Sequence, residues 1–315
     1  MGRRRLKVVS VMTDDSSNFA YENQECLKSV GIDCEAVKLN PHRFNYKNQA
    51  KILSIRDIEN KIFEADIVQI MHTDSSFVEF ISKHRKKCVV YHTGTLYRQN
   101  PDGANSVFNP IVSGTITDSG ELMGKGAKNE VFIFGTINTD LVSCKINRIK
   151  NNPIAIAHYP SSESVKGTDI IFDTINKLKS EYPNQFVFNY SSDKVSHEEQ
   201  LGRMRTCDIY IELFAPEQDG KIYGSFGVTA IEASALGKIV VTNLSTPDVY
   251  LKSYGCLPPF LTPKTKEELY ASIQSMIIQE KDIIYLKRRE TRAWVEKFHS
   301  YKSTGNKIKK YLLSI

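Results

Sequence analysis

No apolar run in this 315-residue chain reaches the roughly 20 residues needed to span a bilayer, so it reads as a cytoplasmic rather than a membrane-embedded protein. Met1-Gly2-Arg3-Arg4-Arg5 is followed by a short apolar stretch, Leu6–Met12, and then by Asp14-Asp15. No small-residue cleavage site follows, so the stretch is expected to be a first β-strand and not a secretory leader. The cysteines (Cys26, Cys34, Cys88, Cys144, Cys207, Cys256) form no close pairs. That excludes a zinc-finger spacing and fits reduced thiols. No nucleic-acid motif is present, and there is no close repeat or low-complexity segment. After the first strand, Met12-Thr13-Asp14-Asp15 contains no Gly-x-Gly-x-x-Gly turn, which argues against a nicotinamide dehydrogenase.

What is present is ordinary for a globular protein: 41% hydrophobic and 25% charged residues, enough to bury a core in each of two domains. The net charge is +6, with basic patches at Arg3–Arg5, Lys83–Lys87 and Lys287–Arg289. These read as solvated helix ends and strand flanks; attraction to phosphates or to an anionic membrane surface is the alternative. No nucleic-acid partner is expected.

Short β-rich runs alternate with helical stretches, the pattern of parallel sheets with crossover helices. Strands are predicted at Leu6–Met12, Asp33–Leu39, Asp66–Met71, Lys87–His92, Thr115–Thr117 and Val131–Gly135, and helices at Asn18–Val30 and Ser75–His84. Residues 93–114, rich in Gly, Asn and Pro, are expected to be a long surface loop. The polar stretch 137–152 is the predicted boundary. The pattern then restarts, with strands at Pro153–His158, Phe186–Tyr190, Asp208–Phe214 and Ile239–Leu244 and helices at Thr168–Lys179, Glu198–Arg205 and Gly227–Leu236. From Lys266 to Leu313 the chain reads as mostly helical. The expected division is residues 1–145, residues 146–295 and a C-terminal helix, 296–315, crossing back to the first domain. Two open α/β sheets in one chain would face across a cleft, the usual place for a small ligand.

The most informative segment is Gly220–Val241. Gly220, Gly224 and Gly227 precede a helix that leads into an apolar strand. Glycines there let backbone N–H groups approach a diphosphate, and the helix N-terminus adds partial positive charge. Glu232 lies inside that helix, on one face with Thr229.

Phe226-Gly227, Ile231-Glu232-Ala233 and Ala235-Leu236-Gly237-Lys238-Ile239-Val240-Val241 resemble the donor-binding segment of the retaining family 4 glycosyltransferases of the GT-B fold. Ile156–Asp169, with Lys166-Gly167-Thr168-Asp169, resembles the first strand and loop of that family's donor domain. Val89-Val90-Tyr91-His92-Thr93-Gly94-Thr95 resembles its first-domain strand ending in a cleft-facing histidine. The resemblance, completed by Ile116–Leu122 and Gly135–Asp140, covers most of the chain in order. It implies two Rossmann-like domains and transfer of a sugar from a UDP- or GDP-linked donor to a glycan, lipid-linked or small-molecule acceptor. It also implies retention of configuration, with neither metal nor cofactor.

By that resemblance Glu232 would hydrogen-bond the donor ribose and Lys166 the pyrophosphate, where its charge would stabilise the leaving nucleotide. His92 would lie near the reacting sugar, with His72 and Asp14 as acceptor-side candidates. Ser161, Ser162, Tyr223, Gly224, Ser225, Phe226, Gly227 and Thr229 complete the expected donor site. Three departures stand out. Gly224 occupies the place of the family's first glutamate, Pro160 that of its arginine, and Thr13–Asn18 replaces its glycine-rich first loop. The missing glutamate keeps a catalytically silent sugar- or partner-binding subunit as an alternative, beside a nucleotide-sugar epimerase or an inverting transferase of the same fold.

Overall fold

The computed structural model describes residues 6–315 apart from 43, 45, 141, 143–145, 149–152, 216, 219, 220 and 223, and only the backbone pairing of 217, 218, 221 and 222. The chain forms two compact units, Met1–Asn138 with His299–Ile315, and Thr139–Phe298.

The first unit runs β1 (Lys7–Met12), α1 (Phe19–Ser29), β2 (Asp33–Lys38), β3 (Lys51–Ile52), α2 (Ile55–Glu64), β4 (Ile67–Ile70), α3 (Val78–Lys83), β5 (Lys87–His92), α4 (Gly94–Gln99), α5 (Pro101–Phe108), β6 (Gly114–Thr117) and β7 (Glu130–Phe132). Its seven strands are parallel, in the order β3-β2-β1-β4-β5-β6-β7. Both faces are covered, which explains runs such as Val8-Val9-Ser10-Val11-Met12 with no polar face. Val8 and Met12 pack with Ala20 and Leu27 of α1 and with Ile308 and Leu312 of the C-terminal helix, Tyr301–Ser314. Val9 and Val11 pack on the other face with Ile58 and Ile62 of α2. The C-terminal helix lies close on α1, because Gly305 leaves room for the Cys26 carbonyl, which a Cβ would strike.

Residues 93–114 are not a loop. Asn100 accepts the Gly103 N–H at 2.9 Å as the N-cap of α5, Pro101 is its first residue, and Tyr97 and Phe108 are buried. Asn and Pro, read from sequence as loop signals, here start a helix.

The second unit runs β8 (Ile154–His158), α6 (Glu163–Lys166), α7 (Thr168–Glu181), β9 (Phe186–Tyr190), α8 (His197–Arg205), β10 (Ile209–Ile211), the hairpin β11 (Glu217–Gln218) and β12 (Lys221–Ile222), α9 (Val228–Ala235), β13 (Ile239–Val241), α10 (Pro247–Tyr254), α11 (Lys266–Ile277) and α12 (Lys281–His299). Its main sheet is parallel, in the order β13-β10-β8-β9. Ile171, Ile175 and Leu178 of α7 and Leu269 and Ile273 of α11 pack with Ile154, Ile156, Ile209 and Ile211. Among the described residues, no helix is long and apolar enough to cross a membrane.

Both sheets have a point where the strand order reverses, between β1 and β4 in the first and between β8 and β10 in the second. Ligands of open α/β sheets bind outside the strand C-termini at such points.

Burial pushes three histidine pKa values down: His92 and His158 to about 4 and His299 to about 3. Each is neutral in the fold and binds a proton on unfolding, so its contribution is present above pH 6.5 and is lost as pH falls toward its folded value. Asp118, raised to about 7 by burial, acts in the opposite sense, so the comparison must be between variants. Between pH 7 and pH 5, wild-type protein is expected to lose about 2 kcal/mol more stability than His158→Asn in urea unfolding. Equal losses would contradict the assignment.

Candidate functional site

In the second unit, β8 ends at His158, whose ring is fixed by the Ile211 carbonyl (Nδ1, 2.8 Å) and the Thr168 hydroxyl (Nε2, 2.9 Å). The chain then turns through α6 to Lys166 and reaches Gly167 at φ +67°. That left-handed conformation favours glycine, and a Cβ there would overlap the Phe214 carbonyl oxygen. The close approach is sealed by Phe214 N–H donating to the Lys166 carbonyl at 3.1 Å.

The result is an ion pair between Lys166 Nζ and Glu212 Oε1. The Glu212 side chain is 1% exposed and that of Lys166 17%. Thr242 donates to Glu212 Oε2 at 2.6 Å. Lys166 follows β8 and Glu212 follows β10, so the pair stands at the reversal of strand order. Glu212 was not among the residues expected from sequence. Its signal was a lone acid after Ile209-Tyr210-Ile211, where an apolar strand ends.

Gly227, the N-cap of α9, lies against Glu212: a Cβ there would stand 3.5 Å from Oε1. Among the described residues no side chain caps α9, and a helix N-terminus carries the partial positive charge that suits an anion. Inside the helix, Glu232 accepts from His197 Nε2 at 2.6 Å. Its side chain is 10% exposed and that of His197 26%. His197 was also unforeseen. It engages one Glu232 oxygen, so the expected two-oxygen grip on a ribose must share that atom with the imidazole. Thr229 is half-buried on α9, and Gly224 has φ +32°.

The remaining residues expected at the donor site differ in exposure. Phe226 is core, packed on Tyr250, Phe260 and Trp294. Ser225 is buried, its Oγ 3.2 Å from Ser245 Oγ. Ser161 and Ser162 are exposed on the loop before α6. Tyr223 lies outside the described residues.

In the first unit, His92 does end β5, but the expectation that its ring opens outward is corrected: the residue is wholly buried. Tyr97 stacks on it at 3.8 Å and 6°. Nδ1 meets Thr73 Oγ1 at 3.2 Å, and among the described residues Nε2 has no hydrogen-bond partner. His72, after β4, keeps a solvent-reachable edge and meets Asp15 and Thr93. Asp14, next to Asp15 in sequence, is exposed. A cavity of about 420 Å³ lies elsewhere on this unit, against the N-terminal halves of β1 and β2. Its lysines are ion-paired with neighbours: Lys7 with Glu64, Lys28 with Glu25, and Lys51 and Lys61 both with Glu35. It has neither the chemistry nor the place of a site at the strand C-termini.

No protein-family model and no curated protein matches the chain. Solved structures do. HepE of Anabaena in complex with UDP is 14% identical, with a TM-score of 0.67 over 98% of this chain and 100% of that one. A glycosyltransferase of Rickettsia africae is 15% identical, with a TM-score of 0.64 over 98% and 97%. A UDP-GlcNAc 2-epimerase of Neisseria meningitidis bound to UDP-GlcNAc is 13% identical, with a TM-score of 0.55 over 98% and 100%. At these identities the likeness establishes the fold: the chain has the GT-B architecture of two parallel α/β sheets.

The geometry at Gly167 gives a direct test. Gly167→Ala is expected to cost at least about 1–2 kcal/mol for the left-handed backbone alone, with the Phe214 overlap added. Gly202→Ala, in α8 with nothing near the added methyl, should instead gain up to about 1 kcal/mol. Urea unfolding of both variants checks this; an unchanged Gly167→Ala would remove the close approach from the account.

Proposed function

We propose that the protein transfers a sugar from a nucleotide-sugar donor, and that the second unit holds the nucleoside diphosphate. The observation that carries this reading is the convergence of Lys166, the glycine-initiated N-terminus of α9 and the buried Glu212. A diphosphate placed there meets a fixed ammonium and a helix N-terminus at once. Glu212 takes one Lys166 donor and leaves the ammonium two more, so it holds the lysine in place without exhausting it.

Glu232, inside α9, is the group for the ribose hydroxyls, with His197 orienting its carboxylate. As the C1–O bond to the leaving phosphate breaks, Lys166 and the α9 N-terminus stabilise the negative charge that develops. The proposal requires no metal: a chelator should leave the rate unchanged. HepE, solved with UDP and with UDP-glucose, makes a UDP-sugar the first donor to try. A glycan, lipid-linked or small-molecule hydroxyl is the proposed acceptor, and kinship with the family 4 transferases is the proposed descent.

A second reading, epimerisation of a nucleotide sugar, is favoured by the likeness to a UDP-GlcNAc 2-epimerase. It uses the same nucleotide site and differs in product: a changed sugar still linked to, or newly released from, UDP with no acceptor required.

Calorimetric titration with UDP tests the common core. Glu232→Ala should weaken binding about tenfold or more, since a charged hydrogen bond contributes about 1.5–3 kcal/mol. Lys166→Ala should weaken it comparably and Lys166→Arg less, the charge being kept but displaced. Wild-type affinity in folded Glu232→Ala and Lys166→Ala would take the nucleotide out of this site.

A further inference from the structure

β9 is the outer strand of the second unit's main sheet, and among the described residues no other strand pairs with its far side. The other three edges of the two main sheets are closed or blunted. Leu261 lies along β13, giving its N–H to the Val240 carbonyl at 2.9 Å and accepting that of Thr242 at 3.0 Å. β3 is two residues long and carries Lys51; β7 is three residues long and begins with Glu130. Short length and charge are the usual defences of a sheet edge. β9 has neither. Phe186-Val187-Phe188-Asn189-Tyr190 is five residues without charge, proline or glycine, and Val187 is 43% exposed.

The register decides which backbone groups face outward. Ile154 donates its N–H to the Gln185 carbonyl at 3.3 Å and stands opposite Phe186. Alternate residues of a strand turn both backbone groups to the same neighbour, so Gln185, Val187 and Asn189 face β8. The N–H and C=O groups of Phe186, Phe188 and Tyr190 point away from the sheet. Their side chains hold the strand against α7. Phe186 shares a core with Ile171, Ile175 and Leu178, and Phe172 meets Phe188 at 5.8 Å and Tyr190 at 4.7 Å. The outward groups are thus ordered before anything meets them, which lowers the cost of pairing.

Such a strand is complementary to itself. Two copies running antiparallel set Phe188 of one against Phe188 of the other, and Phe186 of each against Tyr190 of the other. Each pair exchanges both backbone bonds about a two-fold axis. The flanking charges suit that arrangement. Lys179, in the last turn of α7 where the chain approaches the start of β9, lies over the Phe188 ring, 5.8 Å from its centroid. Glu163, the first residue of α6, accepts the Tyr190 hydroxyl at the far end of β9. Both are exposed, and among the described residues neither forms an ion pair. In an antiparallel pair the Lys179 end of each copy meets the Glu163 end of the other.

We propose that β9 pairs with β9 of a second copy of this chain, joining the two four-stranded sheets into one across a two-fold axis. The main-chain bonds supply the attachment, as in other additions of a strand to a sheet edge, and the two Lys179–Glu163 meetings set its direction.

Sedimentation equilibrium of the full chain from about 1 μM to about 1 mM should show a reversible passage from monomer to dimer. Lys179→Glu brings like charges together at both ends of the interface and should raise the dimer's Kd about fivefold or more. Glu163→Lys should do the same, and the double variant, with opposite signs restored, should return Kd to within about threefold of the wild type. Phe188→Pro removes the outward N–H on the axis, where an edge strand accepts proline, and should stay monomeric. Hydrogen exchange locates the contact in the unaltered chain. The Phe188 and Tyr190 amides should exchange quickly in dilute protein and become protected as concentration rises, with the Val187 amide, bonded to β8, protected throughout. Wild-type protein that is monomeric at the highest concentration overturns the proposal. So does a dimer indifferent to Lys179→Glu, a double variant no better than either single one, or a dimer whose Phe188 amide still exchanges quickly.

Discussion

Glu212 places a carboxylate almost wholly out of water at the end of β10, and much of the second unit follows from compensating it. An unpaired buried charge costs several kcal/mol, and pairing repays this only with good geometry and further hydrogen bonds. Lys166 supplies the opposite charge and Thr242 the second bond. To bring Lys166 there, the chain after β8 must pass against the backbone at Phe214, and only a residue without a Cβ fits at 167. Gly227 leaves Oε1 clear on the other side and starts α9 at that point. The phosphate site proposed for this unit thus follows from how one acid is buried.

The first unit solves the same problem differently. Asp15, buried after β1, is compensated by two N–H groups at the start of α1 and by one imidazole edge. In each sheet a buried carboxylate lies just beyond the strand C-termini where the order reverses, and in each it fixes a side chain that can carry positive charge. In the second unit that side chain is a lysine, paired with Glu212 beside the N-terminus of α9. In the first it is an imidazole, held between Asp15 and Thr93.

The strands were legible because both faces of each parallel sheet are covered: Val8–Met12, Val68–Ile70 and Ile209–Ile211 could hardly be anything else. The same covering hid which way a strand-end side chain points. His92 and His72 both follow apolar strands, and no period-2 pattern tells inside from outside in a strand buried on both faces. The left-handed turn at His72 and Thr73 decides between them, and neither residue type announces it. Glu212 and His197 escaped because their meaning lies in partners 46 and 35 residues away, across crossover connections that sequence spacing does not reveal. The helices at 94–108 were missed for a local reason: Asn100-Pro101 serves equally to open a loop or a helix. Lys166 and Glu232 were singled out by the family resemblance, Glu232 also by its glycine-led helix; what each binds is the proposal.

The central claim is that the second unit's switch point binds a nucleoside diphosphate. Following the backbone amide resonances of the full chain during titration with UDP tests it most directly. Lys166, Gly167 and Gly224–Thr229 should shift along one saturation curve, with Glu212 and Glu232 following it. Shifts confined to Lys28, Lys51 and Lys61 around the first unit's cavity, or no shifts at millimolar UDP, would contradict it.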